Sequence, residues 1–122
     1  MTYQLPLNKI QVIQVDNIDL KSMAQTLIFT PKKLFILIRT IIFSSTLDGT
    51  PDGPISSLGT NAPDYNNLEP SMGPVFEVQN DFYQYTQNFS EAVNAPIYLN
   101  IGTPDTGSTT NIASIYLIGF YI

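Results

Sequence analysis

The chain is 122 residues long, which suits one domain with a real hydrophobic core and leaves no room for two of ordinary size. Charged residues are only 12% of it, against about 25% in a typical soluble domain, while hydrophobic residues are near normal at 43%. Cysteine and histidine are both absent, which excludes a disulfide framework, the usual zinc site, a cysteine nucleophile and a Ser-His-Asp triad, and the net charge of −5 disfavours sequence-independent nucleic-acid binding.

The first residues, "MTYQLPLNK", show no basic region followed by an apolar core, so no secretory signal is read. "IQVIQV" (Ile10 to Val15) is rich in branched residues and predicts a strand, as does "MAQTLIFT" (Met23 to Thr30), closed by Pro31. In "KLFILIRTIIFSS" a strand places Leu34, Ile36, Ile38, Thr40 and Ile42 on one side and Phe35, Leu37, Arg39, Ile41 and Phe43 on the other, so both sides are apolar. This run is interrupted by Arg39 and has about half the roughly 20 residues that a membrane helix needs, so a soluble protein without a membrane partner is expected.

From Ser44 to Gly73 the chain is mostly Gly, Pro, Ser, Thr, Asn and Asp. Such a stretch marks a functional loop, and isolated Leu47, Ile55, Leu58, Tyr65, Leu68 and Met72 would pin it to a surface at intervals. The expectation is an extended arm or ordered flap over 44–73, with a short helical turn near Tyr65 to Glu69. Strands resume at "PVFEVQ" (Pro74 to Gln79) and "DFYQYTQNF" (Asp81 to Phe89). "APIYLNIG" (Ala95 to Gly102), the turn-rich "TPDTGSTTN" and the terminal run "IASIYLIGFYI" read as a hairpin. Short strands separated by Pro, Gly and Asn, without a convincing amphipathic helix, predict a single all-β domain over residues 1–122, an antiparallel β-sandwich of jelly-roll type.

Chemistry is sparse. In "LDGTPDGP" the residues Asp48, Thr50, Asp52 and Gly53 fall at calcium-loop positions, but Gly59 stands where a bidentate Glu is required, and two Asp-Gly turns explain the same letters. Glu77, Asp81 and Glu91 are close enough in sequence to pair for acid and base work, as any dense set of acids is. Tyr83, Tyr85, Tyr98, Tyr116 and Tyr121 would make a platform for sugar rings if one face gathered them, which gives the alternative of a receptor- or glycan-binding module of a tail fibre. Asn88-Phe89-Ser90 matches the N-glycosylation triplet and reads as incidental without a secretory signal. No catalytic residue, cofactor or metal is expected.

The informative features are charge placement and surplus apolar strand surface. All five cations, Lys9, Lys21, Lys32, Lys33 and Arg39, lie in the first 43 residues, whereas residues 44–122 hold eight acids and no cation. The N-terminal part is thus suited to dock on an acidic partner. A terminal strand puts Ile112, Tyr116, Ile118, Phe120 and Ile122 on one side and Ala113, Ile115, Leu117 and Tyr121 on the other. A two-layer sandwich covers only one of those faces, and the same holds for Leu34 to Phe43. Covering the second face takes neighbouring subunits, so the oligomer contacts are assigned to Ile36, Ile38, Phe43, Tyr116, Ile118, Phe120 and Ile122. Partner docking is assigned to Lys9, Lys21, Lys32 and Lys33 and to the arm residues Leu47, Ile55 and Leu58.

The absence of Cys and His, the Asn/Thr/Ser/Gly-rich surface, the segment Ser44 to Gly73 and the closing "APIYLNIGTPDTGSTTNIASIYLIGFYI" resemble small non-enzymatic virion proteins of tailed phages, the capsid cement (decoration) proteins of jelly-roll or β-sandwich type. The resemblance implies a homotrimer on the capsid surface, seated on the joints between hexamers of the major capsid protein and bridging its subunits.

Overall fold

The computed structural model describes residues 10–86 and 92–122. Among them the chain forms nine strands: β1 (Ile10–Asp19), β2 (Gln25–Phe29), β3 (Phe35–Gly49), β4 (Ile55–Gly59), β5 (Glu69–Met72), β6 (Phe82–Thr86), β7 (Ala92–Val93), β8 (Ile97–Thr103) and β9 (Ser108–Tyr121). One sheet runs β1-β9-β3-β6, with the short β7 also on β3, and the other runs β2-β8-β4-β5. Every pairing is antiparallel. The chain crosses repeatedly between the layers, with β4 and β5 adjacent in one sheet and β6 and β7 both on β3 in the other, and the first described strand pairs with the last, as in a jelly roll.

The core lies between the two inner faces. The five-stranded sheet contributes Phe35, Leu37, Ile42, Ala113, Ile115 and Leu117, and the four-stranded sheet contributes Ile28, Leu58, Met72, Ile97, Leu99 and Ile101, each under a tenth exposed. β9 follows the period of two expected of a strand between two apolar environments: Ala113, Ile115, Leu117 and Gly119 face inward and Tyr116, Ile118 and Phe120 lie between them in sequence. Gly119 is needed there, because a Cβ at that position would stand 2.3 Å from the Ile36 carbonyl oxygen and 2.5 Å from the Phe35 ring.

Several expectations are corrected. β3 does not keep one alternation: its register to β9 shifts between Leu37 and Arg39, so Phe35 and Leu37 point inward on one side of the bulge and Thr40, Ile42 and Ser44 on the other. A bulge adds one residue to one strand and exchanges its faces from that point on. Ile42 is therefore core, and Ile41 and Phe43 share the outer side with Ile36.

Segment 44–73 is no arm. Ser44 to Gly49 complete β3, and β4 and β5 form an edge of the four-stranded sheet. Leu58 and Met72, both 0% exposed, anchor this polar stretch in the core, and two buried apolar side chains are enough once the ladder satisfies the backbone. Tyr65 to Glu69 make no helical turn; the segment 60–68 folds back outside β4, held by Asn67 Oδ1 accepting from the Thr60 and Asn61 amides. Pro74 to Gln79 is a loop rather than a strand. It drives Phe76 between the sheets, where its ring meets Tyr83 edge-on at 5.7 Å.

β8 and β9 are not a hairpin either, since β8 pairs with β2 and β4 while β9 pairs with β1 and β3. Both strands carry a strongly apolar inner face, and packing those faces against each other buries more than laying the strands side by side would. The turn residues between them mark a chain reversal that crosses from one layer to the other.

Candidate interaction surface

Residues paired across an antiparallel ladder share a face, and the register therefore defines the outer side of the five-stranded sheet in rows. Ile10, Phe120 and Ile36 form one row, followed by Val12, Ile118, Arg39 and Thr86, then by Gln14, Tyr116, Ile41 and Gln84. Ser114, Phe43 and Phe82 form the next. Ile10, Ile36, Ile41, Phe43, Tyr116, Ile118 and Phe120 are half-buried, while Val12 is 63% and Phe82 52% exposed. Contiguous apolar surface of this kind marks an interaction site on a soluble protein.

Of the residues assigned to oligomer contact, the fold brings Ile36, Phe43, Tyr116, Ile118 and Phe120 onto this one side. Ile38 sits half-buried in the β3 bulge, and Ile122 is 60% exposed beyond the strand, its N–H donating to the Leu34 carbonyl at 3.1 Å. Sequence reasoning missed Ile10, Val12, Ile41 and Phe82. The period-two pattern of "IQVIQV" was the available signal, but only pairing with β9 shows which of its sides joins the patch. The polar rim includes Asp16, whose carboxyl is held below its ordinary range by hydrogen bonds from Ser114 Oγ at 2.7 Å and Gln14 Nε2 at 2.9 Å.

The residues assigned to partner docking separate. Lys9 lies outside the described residues. Lys21 is engaged within the fold, its Nζ donating to the carbonyls of Asp105 at 3.4 Å and of Ser108. Leu58 is core and offers no docking surface, because β4 turns it toward Leu99. Leu47 is half-buried against the core and Ile55 is 47% exposed. Lys32 and Lys33 are exposed at the β2–β3 turn, with their ammoniums 5.7 and 5.5 Å from the centroid of the Tyr121 ring.

Asp52, from the calcium-like stretch, has a structural role that it shares with Asp105. Asp52 accepts from the amide of Thr106 at 3.0 Å and from its hydroxyl. Asp105, 1% exposed, accepts from the Asp52 and Gly107 amides and from Asn111 Nδ2, each at 3.0 Å, and from the Ser108 hydroxyl. Burial alone would raise the Asp105 pKa, but the Ser108, Asn111, Asp52 and Gly107 donors outweigh it and hold the group well below the carboxylate range. Two loops, one after β3 and one before β9, are thus tied through reciprocal aspartates. The signal in sequence was the turn "PDTGS", read only as a reversal. Among the described residues no group of three or more His, Cys, Asp or Glu is placed to hold a metal ion. Asp81 likewise caps a turn, accepting from the Phe82 amide at 2.9 Å and the Glu77 amide at 3.4 Å; Glu91 and the Asn88-Phe89-Ser90 triplet lie outside the described residues.

The tyrosines do not form a platform. Tyr83 and Tyr85 pack against the core, Tyr83 donating to the Val75 carbonyl at 2.7 Å. Burial, assisted by the neighbouring Tyr83, pushes the Tyr85 hydroxyl up to about 12. Tyr98 stacks on Tyr65 with centroids 4.6 Å apart at the four-stranded sheet, Tyr121 meets Phe35 edge-on at 5.4 Å, and Tyr116 belongs to the outer rows of the other sheet.

No protein-family model matches the chain, and no curated protein matches it. Solved structures do share its fold. A chain in the cyanophage Pam1 capsid asymmetric unit superposes with a TM-score of 0.59 at 9% identity, covering 100% of this chain and 93% of that one. A chain in the capsid of Ralstonia phage GP4 gives a TM-score of 0.50 at 9% identity, covering 100% and 92% respectively. At such identity the likeness is one of architecture: the all-β sandwich extends over the whole of this chain and nearly the whole of each counterpart.

Proposed function

We propose that the chain is a non-enzymatic structural protein of a tailed-phage virion, located at the capsid, where it self-associates as a trimer and cements the shell by bridging subunits of the major capsid protein. The observation that carries this reading is the outer side of the five-stranded sheet. The ladder register places its Ile, Phe, Val and Tyr side chains in neighbouring rows of one face, and an assembled shell supplies permanent neighbours that cover such a surface. The full-length likeness of fold to chains in two phage capsid structures supports the same setting. So does the use of Asp52, Asp81 and Asp105 to cap loops, which leaves these acids in structural rather than chemical roles.

Light scattering on the purified chain at micromolar concentration tests the self-association: a mass three times that of the chain is expected, and a clean monomer defeats it. Co-sedimentation with shells assembled from the major capsid protein of the same genome tests the cement role. Binding to assembled shells, but not to the unassembled capsid protein, is the expected result.

A further inference from the structure

We propose that the β2–β3 turn is the docking site for an acidic surface on a second protein, a proposal that rests on the reading that the chain binds a shell partner. The two adjacent lysines there do not splay apart into solvent. Both ammoniums converge on one ring, 5.7 and 5.5 Å from the Tyr121 centroid, and neither forms an ion pair with a described carboxylate. Like charges held together repel, and the electron-rich ring face offsets part of that repulsion; an incoming carboxylate offsets the rest.

The turn is also fixed in place. Pro31 is buried before it, the Ile122 amide clamps the Leu34 carbonyl at 3.1 Å after it, and Tyr121 is wedged edge-on against Phe35 at 5.4 Å. Leu34, 44% exposed, and Ile122, 60% exposed, give the charged pair an apolar border. A rigid cationic pair with an apolar rim fits a protein surface that presents carboxylates beside aliphatic side chains.

The fold sharpens the polarity seen in the sequence. The turn precedes Phe35, which pairs with Tyr121 at one end of the five-stranded sheet, while Asp19 pairs with Ile112 and Asp48 with Thr110 at the other. Lys21, the cation near those acids, is engaged by two carbonyls. Docking of the basic end of one copy on the acidic end of the next would be a head-to-tail contact, which closes into a ring or runs on as a filament according to its rotation; the occupant assigned to the turn is instead the shell partner of the proposed function, whose surface supplies the carboxylates.

The test uses the full chain, isotope-labelled and titrated at low ionic strength with a synthetic peptide of alternating glutamate and leucine, with an alternating lysine and leucine peptide as control. Backbone amide shifts centred on Lys32 to Leu34 and on Tyr121 and Ile122 are expected with the acidic peptide alone, and they are expected to vanish at high salt and in Lys32→Glu/Lys33→Glu. The milder Lys32→Gln/Lys33→Gln guards against a folding defect and is expected to lose the response while keeping the spectrum. A silent turn, or the same response in the charge variants, overturns the proposal. So does salt-reversible polymerisation of the unmodified chain alone, which would give the turn to a second copy. Light scattering on the same samples separates the two readings: a monomer whose turn responds retains this site and loses the self-association, and an oligomer whose turn is silent does the reverse.

Discussion

Leu117 and Ile118 are adjacent in the chain and stand on opposite sides of one strand: Leu117 pairs with Ile13 and Thr40 on the inner face and is 0% exposed, whereas Ile118 lies between Val12 and Arg39 on the outer face. The two positions therefore separate folding from assembly. Leu117→Ala removes packed core and is expected to cost about 2–5 kcal/mol of stability in chemical denaturation. Ile118→Ser is expected to leave the monomer within about 1 kcal/mol of its original stability while lowering the mass read by light scattering to that of one chain if the proposed self-association uses this face. Denaturation has to be compared at matched concentration, because self-association of the proposed kind would add to the apparent stability of the unmodified chain.

Asp105→Asn leaves the amides of Asp52 and Gly107 and the Ser108 hydroxyl with a weaker acceptor in a buried corner. The expected loss is about 2–4 kcal/mol, in line with hydrogen bonds to a charged group in a buried network. The pH dependence follows from the direction of the shift. The folded Asp105 titrates below its unfolded counterpart, so the unfolded chain binds more protons on acidification and stability falls as pH drops below about 4. Urea midpoints measured from neutral pH downward should show this decline in the unmodified chain and a shallower one in Asp105→Asn.

Thr40 is 0% exposed, pairs with Leu117 and Tyr85, and its hydroxyl has no hydrogen-bond partner among the described residues. Thr40→Val keeps the branched shape and removes the unmet polar atom. A gain of about 1 kcal/mol is expected, read as a raised thermal midpoint.

Tyr85 is expected to ionise late in an ultraviolet titration, above the range of a free tyrosine, since burial pushes its hydroxyl up to about 12. The neutral phenol is favoured in the fold, so the stability it contributes is complete below about pH 10, the unfolded value, and is lost as pH rises toward the folded one. Tyr85→Phe should remove the late step from the titration and flatten the alkaline decline in stability.

The strands with strong alternation were legible from their letters: Ile10 to Val15 falls within β1, the stretch Met23 to Thr30 contains β2 at Gln25–Phe29, and the terminal run lies on β9 as far as Tyr121, and the doubly apolar character of β3 and β9 reflects a sheet with one inner and one outer greasy side. What the letters hid was relational. The β3 bulge at Ile38 has no marker of its own, so Ile41 and Ile42 exchanged their expected sides from Thr40 onward. β4 is read as loop because Ser56, Ser57 and Gly59 are poor strand formers, yet the ladder to β8 and the single core anchor Leu58 suffice. Asp105 looked like a turn residue and is a buried hub because, besides its local donors Gly107, Ser108 and Asn111, it accepts from a loop more than 50 positions away, at Asp52. The tyrosines shared a residue type rather than a face. Lys32 and Lys33 were visible as a basic turn, but their common seat on Tyr121 depends on the strand order.

The pairing of β1 with β9 has a consequence for biosynthesis. On the ribosome, the first apolar strand emerges almost the whole chain ahead of the one that must lie beside it, and β3 waits for the same late arrival. Loop-closure entropy makes so distant a pairing slow, so nascent chains hold unpaired Ile and Val edges until β9 has emerged. Crowded synthesis would then favour aggregation over folding, and chaperone supply, or a lowered expression temperature, becomes the variable that sets the yield of usable protein.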